Sequence, residues 1–119
     1  MRALLVPLSI GIALIGATTG LASGTPQTLT GVVGPSFNIS LKAHAKPVKT
    51  LAPGRYIFVI HDNSSIHNFH LTGPGVNKKT TVGGTGKTTW HLTLRTGTYK
   101  FVCDPHATVM KGKFIVRAP

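Results

Sequence analysis

The sequence predicts an all-β fold, a sandwich of seven or eight short strands. Apolar and polar residues alternate over short stretches, as in strands with one buried face. Turn signals rich in Gly and Pro recur about every eight to twelve residues, and no long apolar period of a helix appears beyond the start of the chain. The 119 residues are enough for one domain.

The first three predicted strands are bounded by turn residues. An alternating run ends at Gly34-Pro35, and a second alternating run begins at Phe37. Pro53-Gly54 marks the next turn, and the dense apolar run after it suits a central strand. These strands are expected at residues 29–33, 37–41 and 56–60.

The later strands are separated by glycine-rich turns. Gly73-Pro74-Gly75 ends the fourth strand, and the segment 83–86 forms a flexible turn before the alternating run at Trp90. Gly97 and Gly112 open the last two strands. These strands are expected at residues 67–72, 90–94, 98–102 and 113–117.

Residues 1–22 predict a secretory signal peptide. Arg2 supplies a positive start, the segment 3–17 is uncharged, and Gly20-Leu21-Ala22 offers a cleavage site. An uncleaved membrane anchor is the alternative, since residues 3–22 are long enough to span a bilayer, but the glycines within the segment weaken it. In either case the domain is expected outside the cytoplasm, in the periplasm, secreted or at the extracytoplasmic surface.

The remaining chain reads as a short flexible leader, residues 23–27, followed by one domain, residues 28–119. Cys103 is the one cysteine, so no internal disulfide can form. A free thiol in an oxidising compartment is open to oxidation, which favours a Cys103 whose sulfur is bound to another group.

The charge balance predicts anionic partners. Lys and Arg number 13 against 2 acidic residues, giving a net charge of +11 at pH 7. The basic residues are scattered and no arginine-rich run or aromatic RNA-binding motif appears, so nucleic acid is not an expected partner.

Most of the candidate metal-binding residues lie near the C-terminus. A predicted strand, Gly97-Thr-Tyr99-Lys-Phe101-Val-Cys103, runs into a short loop that carries His106 and Met110. His67, followed by Asn68, lies on an earlier predicted strand. Two imidazoles and a thiolate in a trigonal set, with a weak axial thioether, distinguish a one-electron copper centre.

The sequence resembles the plastocyanin- and amicyanin-like cupredoxins over nearly all of residues 28–119. In that family a G-x-Y-x-F-x-C strand leads into C-x-x-H, with a methionine and a glycine shortly after. The resemblance implies an eight-stranded Greek-key β-sandwich that binds one copper ion. It assigns the ligands as His67, Cys103, His106 and Met110, and it implies that Asn68 steadies the thiolate and ties the two ligand segments together.

The other histidines are expected at the surface. His70 is the rival to His67, but alternation along a strand puts His67 on the same face as Phe69 and Leu71, which are apolar. That face is the buried one, so His67 points inward, and Asn68 and His70 share the outward face. The remaining surface histidines are His44, His61 and His91.

These observations predict an exported type 1 copper protein that carries single electrons between redox proteins and is not an enzyme. It is expected to be a monomer with no small-molecule substrate. The exposed edge near His106 is expected to dock partners with acidic surfaces, through Pro105, Ala107, Val109, Lys111 and Lys113.

Two alternatives stay open. A copper carrier would use the same site to deliver the ion instead of the electron. A copper-free sandwich that binds anionic surfaces would tolerate Cys103→Ala. A multicopper oxidase is not expected, because its further domains and His-x-His pairs are missing. A binuclear electron-entry copper site is not expected either, because it needs a second cysteine.

Overall fold

The computed structural model describes residues 24–119; the expected signal peptide, residues 1–22, lies outside them. The described chain folds into two five-stranded sheets with a single 3-10 turn at Asp104–His106. Within this range no helix is long and apolar enough to cross a membrane. The strands are β1 (Gln27–Val33), β2 (Ile39–Ala43), β3 (Lys46–Pro47), β4 (Thr50–Leu51), β5 (Gly54–Asp62), β6 (His70–Gly73), β7 (Val76–Lys79), β8 (Gly86–Leu94), β9 (Gly97–Val102) and β10 (Lys111–Val116).

The first sheet has the order β3-β2-β1-β5-β8. β1 runs parallel to β5, and β5 pairs antiparallel with β8 along its whole length. Alternation along β5 turns Tyr56, Phe58 and Ile60 toward the core, as the dense apolar run predicts. β5 is therefore an interior strand of this sheet, hydrogen-bonded to β1 on one side and to the edge strand β8 on the other.

The second sheet has the order β4-β10-β9-β6-β7. Its inner face stacks aromatic rings, with Tyr99 on Phe114 at 5.2 Å and Phe69 on Phe101 at 5.5 Å between centroids. Gly112 is required beneath this layer, because a methyl group there would overlap the Phe101 ring. The two inner faces together enclose one continuous apolar core.

The predicted all-β sandwich is confirmed, with ten strands in the described range where seven or eight were expected and seven were located. The additional strands are β3, β4 and β7. β3 and β4 have two residues each, too few for an alternation signal, and three of the four residues of β7 are polar and exposed. β1 begins at Gln27, the last residue of the expected flexible leader.

Two strands begin later than predicted, and β8 begins at Gly86, earlier than its predicted start at residue 90. β2 begins at Ile39 and leaves Phe37 in a loop, which the Gly34 N–H closes by donating to Asn38 O at 2.9 Å. β6 begins at His70, so His67 lies before the strand. The segment 67–69 makes hydrogen bonds to Thr80 and Cys103 in place of a strand ladder.

Candidate metal centre

The loop between β9 and β10 is closed by its own backbone. The Cys103 N–H donates to Met110 O at 3.0 Å, so the two ends of the loop face each other. Inside it, the N–H groups of His106 and Met110 donate to Cys103 O at 3.0 Å and to His106 O at 2.8 Å. Because a 3-10 turn repeats every 3.0 residues, Cys103 and His106 project to the same side of the loop.

Three donor atoms converge beside this loop. His67 Nδ1 lies 3.1 Å from His106 Nδ1, and Cys103 Sγ lies 3.6 Å and 3.5 Å from these two nitrogens. His67, Cys103 and Met110 are fully buried, whereas His106 is partly exposed. The cluster therefore reaches solvent at the exposed edge of the His106 imidazole.

These donors fit copper. Two neutral imidazole nitrogens and a thiolate sulfur form the trigonal set of a blue-copper centre, and the four expected ligands are arranged as such a site. In the described part of the chain, the cluster of His, Cys and acidic side chains able to hold a metal ion consists of His67, Cys103 and His106. Copper is the cofactor that this arrangement takes.

Asn68 joins the two ligand segments. Its backbone N–H points at Cys103 Sγ at 3.4 Å, and its side-chain oxygen accepts from the Asp104 N–H at 2.7 Å. Its Nδ2 donates to Asp104 Oδ2 at 2.7 Å and to Thr80 O at 3.2 Å. Asn68 is only 1 % exposed, so its expected place on the outward face is wrong. The strand alternation does not reach it, because β6 begins two residues later.

Asp104 extends this network to His70. His70 Nδ1–H donates to Asp104 Oδ1 at 2.8 Å, and Nε2–H donates to Asn77 Oδ1 at 2.7 Å. Burial alone would lower the pKa of His70, but the hydrogen bonds to Asp104 and Asn77 outweigh it, so the pKa is raised. Burial would likewise raise the pKa of Asp104, yet hydrogen bonds from Asn68 and His70 hold it below its usual range. The pair therefore favours a charged imidazolium beside a charged carboxylate.

Sequence reasoning missed Phe37. Its ring meets His67 edge-on at 5.2 Å and His106 at 4.9 Å between centroids, while 61 % of the residue stays exposed. Phe37 thus covers the site on the side where His106 approaches solvent. The one available signal was its position just after the Gly34-Pro35 turn.

The histidines expected to lie elsewhere stay out of the donor cluster. His44 and His91 are exposed and His61 is half-buried. His70 is also half-buried and carries the ion pair described above.

The residues expected to dock partners all lie on the surface. Val109 is 68 % exposed, and the other four are also exposed: Pro105, Ala107, Lys111 and Lys113.

The sequence and the fold both match copper proteins. Residues 38–117 match a family model described as copper binding proteins of the plastocyanin/azurin family. No curated protein matches the chain significantly.

Among solved structures, reduced rusticyanin at 1.9 Å resolution is similar, with 24 % identity and a TM-score of 0.60 over 80 % of this chain and 81 % of that one. Rusticyanin from Thiobacillus ferrooxidans is similar with 26 % identity and a TM-score of 0.56, over 80 % of this chain and 79 % of that one.

Proposed function

The chain belongs to the plastocyanin/azurin family of copper-binding proteins, and we propose that it is an exported type 1 copper protein that carries single electrons between redox proteins. The observation that supports this most is the convergence of the Cys103 sulfur with the Nδ1 atoms of His67 and His106. Copper bound there supplies a one-electron Cu(I)/Cu(II) couple. The protein transforms no substrate of its own.

Each ligand residue has a separate role in this proposal. Cys103 gives the strong thiolate, and the Asn68 N–H at 3.4 Å holds its sulfur in place. His67 is fixed in the core, and His106 presents its partly exposed edge to a partner. Met110, fully buried at the end of the loop, would supply a weak thioether donor that adjusts the balance between the two oxidation states.

The rim around His106 is the proposed docking surface. Val109 and Phe37, at 68 % and 61 % exposure, are its largest apolar side chains, with Pro105 and Ala107 beside them. Lys111 follows the metal loop directly, with Lys113 further along the same strand. Redox proteins with acidic surfaces fit this combination, because the lysines attract them and the apolar rim excludes water at contact. We propose that the protein docks them as a monomer.

Burial favours electron transfer over delivery of the ion. Three of the four proposed ligand residues are fully buried, so releasing copper requires the loop 103–110 to open. Repeated reduction and reoxidation should leave copper bound to the protein. Metal analysis that finds copper lost in step with each cycle would favour the carrier instead.

The visible spectrum after Cu(II) addition tests the site. A thiolate bound to Cu(II) in a trigonal site should give an intense blue colour, which Cys103→Ser, His67→Ala and His106→Ala should each abolish. His70→Ala is the matched control and should stay blue, because His70 lies outside the donor cluster. A colourless wild-type complex, or colour lost with His70 and kept without His67, would contradict the proposal.

Export is proposed from the leader, residues 1–22. Expression of the full chain in a bacterium with a Sec pathway, followed by fractionation and N-terminal sequencing, tests it. A mature start near Ser23 in the periplasmic fraction is the expected result. Protein retained in the membrane with Met1 or Arg2 at its start would show that the leader is an anchor.

A further inference from the structure

Two buried side-chain atoms in the described residues have no hydrogen-bond partner: His67 Nε2 and Asp62 Oδ2. His67 is fully buried and Asp62 is 5 % exposed. Unpaired buried polar atoms are rare in native proteins because each forfeits its bonds to water. An unpaired imidazole N–H and an unpaired carboxylate oxygen have complementary chemistry.

The two atoms belong to neighbouring parts of the fold. Asp62 ends β5 with its side chain facing inward, and its Oδ1 accepts the Ser64 N–H at 3.1 Å. A methyl group placed on Gly34 would lie 2.8 Å from Ser64 Cβ and 3.1 Å from His67 Cδ2. Cδ2 is bonded to Nε2, so the unpaired edge of His67 faces the turn that Asp62 closes. Burial raises the pKa of Asp62, while the Ser64 N–H and the charge of His67 act to lower it.

We propose that Asp62 is a positioning residue for His67. Its carboxylate accepts the Nε2–H through one bridging water, since the two atoms make no direct hydrogen bond. This fixes the proton on Nε2 and leaves the Nδ1 lone pair facing Cys103 and His106. The inference rests on the copper site proposed above.

The composition strengthens this assignment. The chain has only two acidic residues, Asp62 and Asp104, against 13 basic ones. Both acids lie beside the ligand residues, Asp104 through Asn68 and Asp62 through the Ser64 turn. A fixed negative charge near copper stabilises Cu(II), the more positive state, so Asp62 lowers the reduction potential.

The test is Asp62→Asn in the copper-loaded protein. Asparagine keeps an oxygen for the Ser64 N–H and removes the charge, so the turn should still fold. Thr98→Lys is the matched control, since it adds the same unit of positive charge at an exposed site about 17 Å along β9 from Cys103. Asp62→Asn should shift the Cu(I)/Cu(II) equilibrium toward Cu(I) on the order of tenfold, or about 59 mV, and the control by less than about twofold.

Two further measurements separate positioning from a merely structural role. In wild-type Cu(I) protein, ¹⁵N NMR should show the His67 Nε2–H in slow exchange with water, and Asp62→Asn should speed that exchange. Metal-free Asp62→Asn should unfold at the same or a higher denaturant concentration than the wild type, because the substitution removes the cost of burying a charge.

Equal potentials in Asp62→Asn and Thr98→Lys, in proteins that are both blue, would overturn this inference and leave the copper site intact. A fast-exchanging Nε2–H in the wild type would overturn it without any variant. A wild type that forms no blue complex would overturn the proposed function first, and this inference with it.

Discussion

Replacing Asn68 by Ala removes the side chain that ties the two ligand segments together. That side chain makes three hydrogen bonds, two with Asp104 at 2.7 Å and one with Thr80 at 3.2 Å. The residue is 1 % exposed, so water cannot replace these bonds without entering the site. The backbone N–H that points at Cys103 Sγ remains in the variant.

The cost follows from these bonds. Each contributes about 1 kcal/mol, more where the Asp104 carboxylate accepts, and the vacated volume adds a small cavity term, for a total of about 3–4 kcal/mol. A domain of this size loses about 4–8 °C in melting temperature for each kcal/mol. The expected drop is therefore on the order of 12–30 °C.

Thermal unfolding of the metal-free protein, followed by circular dichroism, measures this drop. Asn63→Ala is the matched control, because Asn63 is the same residue type at an exposed position. It should change stability by no more than about 0.5 kcal/mol. If Asn68→Ala melts within a few degrees of Asn63→Ala, the hydrogen bonds of the Asn68 side chain do not stabilise the site.

Three other changes test the surroundings of the metal. Met110→Leu should keep the blue colour and raise the reduction potential, and Met110→Gln should lower it; equal potentials would show that Met110 is not a ligand. The rate at which hexacyanoferrate(III) oxidises the Cu(I) protein, measured by stopped flow, should fall with added salt and should be lower in Lys111→Glu than in Lys46→Glu. A rate that does not depend on salt would contradict electrostatic steering. The pKa of His70 is raised, so its stabilisation of the fold is complete below its unfolded value of 6.5 and is lost as pH rises through the folded value. The pKa of Asp104 is lowered, so its stabilisation is present above 3.8 and is lost as pH falls through the folded value. His70→Gln should therefore destabilise the protein at about pH 5.5 and have little effect at about pH 8.5, as measured by urea unfolding; an equal effect at both would rule out the ion pair.

The ligands were predictable because three of them sit on one short loop. The 3-10 turn and the backbone hydrogen bonds that close the loop fix the relative positions of Cys103, His106 and Met110, so these positions follow from the spacing of the residues in the sequence. Strand alternation placed His67 inward correctly although it precedes β6, because Phe69 and Leu71 are buried as expected. The same argument failed for Asn68, whose position is set by Thr80 and Cys103.

The features of the site that escaped prediction depend on contacts between distant loops. Phe37 reaches His67 and His106 only because the loop after β1 folds over the end of the sandwich. The bond between His70 and Asp104 spans more than thirty residues of chain. No local alternation or turn signal encodes such pairings, so they follow from tertiary packing alone.

The surface around His106 fits a partner that must leave again. Its two largest apolar side chains, Phe37 and Val109, stand on separate loops at the tip of the sandwich, so the dry contact they can offer is small. Small interfaces belong to weak, transient complexes, whose lifetimes are short because the dissociation rate is high. In the proposed docking, Lys111 and Lys113 would compensate by raising the encounter rate, which depends on charge at long range and not on the area buried. A fast encounter and a short residence are what a carrier of single electrons requires, since turnover is limited by whichever of these steps is slower.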